Sequence, residues 1–115
     1  MSQHIITFDK SNDSKRPIVI AGWDNPTKSF FVECNYQTFD GEEWLAWTSP
    51  FFSKDIPVSD GNYQQALLAS LNEAFSKFGH DAEKEFLLQL STTIIDDSLE
   101  NVAFSQTLYE LEGSR

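Results

Sequence analysis

The side chains that could do chemistry are few and scattered. Cys34 is the one cysteine, and His4 and His80 are the two histidines. Cys34 falls in the alternation Phe30, Val32, Cys34, Tyr36, which is one side of a strand. A lone cysteine there is a small buried hydrophobe, because a reactive thiolate needs a basic or helix-N-terminal neighbour. No serine lies in the G-x-S-x-G context of a nucleophile elbow. His4 leads into an apolar strand, and His80 follows Gly79, where an imidazole partners a helix dipole. C-x-x-C and H-E-x-x-H spacings are absent, so no metal and no cofactor is expected. The five glycines are single and well separated, unlike a phosphate-cradling loop.

Carboxylates are the abundant polar groups. Asp and Glu number 18 against 8 Lys and Arg, a formal net charge of −10 on 115 residues. Two clusters emerge: Asp96, Asp97 and Glu100, and Asp40, Glu42 and Glu43. Neither follows the ligand grammar of an EF-hand loop. General acid–base work would need an apolar pocket to raise one carboxyl pKa, which a solvated turn does not supply. Both clusters therefore read as hydrated, partner-binding surface. The sign of the charge opposes phosphate-tracking nucleic-acid binding and adsorption to anionic membranes. It attracts a basic protein partner, with a strength that falls as salt rises.

The elements that must position these groups divide the chain in two. The first half reads as strands at His4–Phe8, Pro17–Trp23, Ser29–Tyr36 and Glu42–Ser49. Pro17 suits a first strand position, Asp24–Lys28 is a turn around Pro26, and Asp40-Gly41 is a hairpin signal. Short connections imply an antiparallel meander. The second half reads as helices. Leu67, Leu71, Ala74, Phe75 and Phe78 form one stripe over Asn62–Phe78, ended by Gly79, with Ser59 or Asp60 as a cap. Asp81 caps a second helix with the stripe Phe86, Leu87, Leu90, Ile94. Leu99–Leu111 fits both periods, and the helical reading ends it at Gly113. Residues 1–115 are thus expected to form a single α+β domain: a four-stranded antiparallel meander covered on one face by two or three C-terminal helices.

Aromatic residues supply 14% of the chain, too many for a disordered acidic tail. Trp23, Trp44, Trp47, Phe51 and Phe52 concentrate near the second and fourth strands. Trp44 and Trp47 differ by three positions, so a regular strand points them to opposite faces. One of them is then a candidate for exposure, at an interface where Trp is favoured. The N-terminal residues lack an apolar stretch of signal-peptide type, and apolar runs fall far short of the ~20 residues that span a bilayer. With a lone cysteine, the expected location is the cytoplasm.

These features point to a small acidic non-catalytic protein-binding module. One version is an inhibitor of phage or mobile-element origin whose carboxylates occupy a basic nucleic-acid-binding surface; an immunity protein against a basic toxin has the same requirements. The candidate binding residues are Asp96, Asp97, Glu100, Asp40, Glu42, Glu43, Trp44 and Trp47. Two other classes are open. A small enzyme or ligand-binding domain would use a pocket between sheet and helices, with His4, Cys34, Tyr36 and Glu33 as its polar groups. A homodimeric subunit would self-associate through a sheet edge or a tryptophan face.

Overall fold

The computed structural model describes residues 2–8, 15–38, 40–48, 52–53, 62–79, 82–100 and 102–111. Phe51, the segment 57–61 with its two capping candidates, His80, Asp81 and Gly113 lie outside the described residues. The elements are β1 (Ser2–Phe8), β2 (Lys15–Asp24), β3 (Ser29–Thr38), β4 (Glu43–Thr48), β5 (Phe52–Ser53), α1 (Asn62–Lys77), α2 (Lys84–Leu99) and β6 (Ser105–Leu111). The sheet order is β4-β3-β2-β1-β6, with the short β5 paired to β3. The expected meander is present as β1 to β4, antiparallel throughout.

The expected third helix is instead a strand. β6 lies parallel to β1 along its whole length, from Ser2 opposite Ser105 to Phe8 opposite Leu111. The parallel neighbours β1 and β6 are joined through the rest of the chain, both helices included, far more than the roughly dozen residues such a connection needs. The residues of the helical stripe are split: Phe104 and Leu108 are 73% and 62% exposed. The strand turns Tyr109 and Leu111 toward the core instead. An open edge on β1 outweighs a local pattern that was evenly balanced.

Both helices pack on one face of the sheet. Ile6 and Phe8 of β1, Val19, Ala21 and Trp23 of β2, and Phe30, Val32 and Cys34 of β3 meet Leu67, Leu71, Ala74 and Phe75 of α1 and Leu87, Leu90 and Ile94 of α2. This is the apolar set that strict alternation and the 3.6-residue period select. Phe8 sets its ring edge-on to Phe75 at 5.3 Å between centroids. The threonines Thr92 and Thr93 remain helical, each hydroxyl donating to a carbonyl one turn back.

Local chemistry explains the joints. Pro17 is interior to β2 rather than first in it, but β2 there has run past the last β1 pair, Thr7 with Ile18. Its missing N–H therefore interrupts no β1 ladder bond. Gly41 sits at φ +90 in the β3–β4 hairpin, closed by Thr38 N–H donating to Glu42 O at 2.9 Å. Gly22 is required by a close approach: a Cβ there would lie 2.0 Å from the Ser2 carbonyl oxygen. The same crossing lets Trp23 N–H donate to Ser2 Oγ at 3.0 Å. Among the described residues, no helix is long and apolar enough to cross a membrane.

Candidate functional site

The helices leave the second face of the sheet to itself. Alternation places Gln3, Ile5 and Thr7 of β1, Arg16, Ile18 and Ile20 of β2, and Phe31, Glu33, Asn35 and Gln37 of β3 on that face. Glu43 of β4 and Gln106, Leu108 and Glu110 of β6 join them by register. Ile18, Ile20 and Phe31 form a second small apolar cluster with Ile5, separate from the helix-side core. Around it lies a trough of about 520 Å³ that reaches from Glu43 on one edge to Leu108 and Glu110 on the other. Its floor is isoleucine. Among the described residues, its walls hold amides and three carboxylates, Glu33, Glu43 and Glu110, against one cation, Arg16. Arg16 donates to Gln37 Oε1 at 2.9 Å, and Glu33 accepts from Asn35 Nδ2 at 3.3 Å.

A second depression, about 430 Å³, lies between α1 and the start of α2. Leu68, Ala69, Ala82, Leu87 and Leu88 line it, with Lys84 as its charged group and no carboxylate among the described residues. Of the two depressions, the sheet trough is thus the acidic one among the described residues.

On the helix side, three polar groups from distant parts of the chain meet. His4 Nε2 lies 2.7 Å from Asp97 Oδ2, and His4 Nδ1 lies 2.9 Å from Tyr109 Oη. His4 is 3% exposed. A carboxylate only accepts, so Nε2–H donates to Asp97, while the Tyr109 hydroxyl, which can donate or accept, meets the ring at Nδ1. Tyr109 also packs edge-on against Phe86. Burial, and then the Asp97 charge, push the Tyr109 pKa up. The connectivity is that of a carboxylate, an orienting imidazole and a hydroxyl, but a phenol held protonated makes a poor nucleophile. The chain of hydrogen bonds ties β1, α2 and β6 together.

The remaining residues singled out in the sequence separate. Asp96 and Glu100 are exposed, whereas Asp97 is half-buried and engaged by His4. Asp40, Glu42 and Glu43 are all exposed around the hairpin, and of these only Glu43 reaches the trough. Trp44 and Trp47 share the helix side instead of opposing one another. Trp47 pairs with Cys34 but Leu45 pairs with Asn35, so Ala46 is an extra residue in β4. This β-bulge resets the alternation. Trp47 packs on the core under Lys77, whose Nζ is 5.9 Å from the ring centroid. Trp44 leans on Tyr36 and stays 44% exposed. Among the polar groups of the enzyme reading, Glu33 faces the trough while His4, Cys34 and Tyr36 face the helices. Among the described residues, no three His, Cys, Asp or Glu side chains gather as a metal site would require.

Cys34 is completely buried and its thiol donates to Ala74 O at 3.4 Å. Burial pushes its pKa from 9.0 up to about 12. The unfolded chain loses this proton first. Stability is thus whole below about pH 9 and falls as pH rises toward 12, by up to about 1.4 kcal/mol per pH unit. Tyr109 adds a decline of the same sign. Urea midpoints of wild type and Cys34→Ala, compared between about pH 8 and 11, should show a shallower fall in the variant. Equal slopes would mean that Cys34 ionisation is not linked to unfolding.

The trough was only partly visible in sequence. The unbroken apolar run Pro17–Trp23 signals a strand buried on both faces, which implies a second apolar surface behind the helix-covered one. Leu108 and Glu110 could not be placed there while their segment read as helix. Comparison with protein-family models, with curated proteins and with solved structures finds no match.

Proposed function

We propose that the protein is a non-catalytic binding module that holds a basic protein partner in the open trough of its sheet. The observation that carries this reading is the trough itself: an isoleucine floor bordered, among the described residues, by three carboxylates and one arginine. Such a surface suits a segment with an aliphatic anchor flanked by Lys or Arg. The floor supplies apolar burial, and the rim supplies steering and register. The net charge of −10 adds long-range attraction for the same partner. A cytoplasmic inhibitor or immunity protein acting on a basic surface is the biological form we favour. Glu43 is retained from the acidic clusters as a contact residue, with Glu33 and Glu110 added; Asp40, Glu42, Asp96 and Glu100 contribute to the field around it.

The test is a nuclear magnetic resonance titration with a short peptide of alternating Lys and Leu. Backbone amide shifts should centre on Ile5, Ile18, Ile20 and Glu33. Affinity should fall by roughly tenfold or more between low and physiological salt. Glu33→Lys combined with Glu43→Lys should remove most of the binding without unfolding the protein. Shifts confined to the helices, or binding indifferent to both salt and the double reversal, would refute the reading.

A further inference from the structure

We infer that two copies of this chain pair through their β6 strands, edge to edge and antiparallel, into one continuous sheet. The two edges of the sheet differ in how they are protected. β4 carries a bulge at Ala46 and the acidic residues of its hairpin, devices that keep an edge from being extended. β6 has seven residues in regular register with β1, no bulge, and one charge, Glu110. Leu108, at its centre, is 62% exposed. A long, regular, nearly uncharged edge of this kind invites another strand.

The side chains select the second copy as that strand. The Tyr109 carbonyl faces β1, where Thr7 Oγ1 donates to it at 3.4 Å. Backbone groups alternate sides along a strand, so those of Gln106, Leu108 and Glu110 face outward. A two-fold axis through Leu108 pairs Leu108 with its own counterpart and Gln106 with Glu110 of the other copy. Two leucines then meet at the axis. Each carboxylate meets an amide, and no like charges are opposed. One Gln106 hydrogen is used on Gln3 Oε1 at 2.8 Å, and the second remains for Glu110. The axis stands perpendicular to the sheet, so both troughs open on the same side. Because Gln106, Leu108 and Glu110 line the trough, pairing joins the two into one site of twice the length.

The experiment uses the purified chain alone, so its outcome is independent of what the trough binds. Light scattering across a concentration series should show a dimer, and Leu108→Lys should raise the dissociation constant at least about tenfold. Leu108→Cys places two thiols about 5.5 Å apart at Cα, within disulfide range, while buried Cys34 stays out of the reaction. It should crosslink under mild oxidation at least about tenfold faster than Gln106→Cys, whose counterpart lies roughly 13 Å away. Gln106→Cys combined with Glu110→Cys should recover the crosslink. Leu108 is exposed, so these variants should fold. A monomeric mass up to about 1 mM, or equal crosslinking by Leu108→Cys and Gln106→Cys, would overturn the proposal.

Discussion

Leu71→Ala is expected to destabilise the protein by roughly 2–5 kcal/mol, while Leu88→Ala should change stability by no more than about 0.5 kcal/mol. Both are helical leucines, and their surroundings decide the difference. Leu71 is 0% exposed at the middle of the α1 face, among the buried side chains of β1, β2 and β3. Its neighbours sit on two rigid layers and cannot collapse into the space that truncation leaves. Leu88 is 47% exposed beside the helix groove and loses little on truncation. Urea denaturation of both variants reads the contrast directly. Similar costs for the two would mean that α1 is not the main cover of the sheet.

The same residue shows what was legible beforehand. Leu67, Leu71 and Phe75 recur at helical spacing in a segment with no competing period, so that face follows from sequence. Phe30, Val32 and Cys34 do the same for β3 at a period of two. The bulge at Ala46 is different. It is a feature of pairing between β3 and β4, and nothing in Trp44-Leu45-Ala46-Trp47 marks the extra residue. β6 is different again. Its segment is balanced between two periods, and a partner 103 residues earlier in the chain settles the matter. The His4, Asp97 and Tyr109 contact depends on that same long-range pairing: Tyr109 comes beside His4 only once β6 lies along β1. Local patterns carried the helices and the meander, and the contacts closed by long loops were not written in any local pattern.

Charge reversal at two adjacent aspartates should separate a surface group from a structural one. In sequence, Asp96 and Asp97 are equivalent members of one acidic cluster, and reversing both should alter binding alone. The structure breaks that equivalence. Asp96 is exposed, so Asp96→Lys should cost less than about 1 kcal/mol. Asp97 holds the Nε2–H of a histidine that is 3% exposed, and its own side chain is 16% exposed. Asp97→Lys removes the acceptor and sets an ammonium group against that buried donor. An ammonium only donates, so the contact survives only if the imidazole moves its proton to Nδ1 and the bond to Tyr109 reverses as well, and solvent reaches the imidazole poorly. Leaving a buried hydrogen-bond donor without its acceptor costs about 1–3 kcal/mol. The loss should spread to β6, because Tyr109 is anchored by the opposite nitrogen of the same ring. Hydrogen exchange at Ser105–Leu111 should therefore accelerate in Asp97→Lys and not in Asp96→Lys. Asp97→Asn, which keeps an acceptor oxygen in place, should recover a large part of the stability. If Asp96→Lys and Asp97→Lys proved equally mild, Asp97 would rejoin the hydrated surface, and the tie between β1, α2 and β6 would have to come from apolar packing alone.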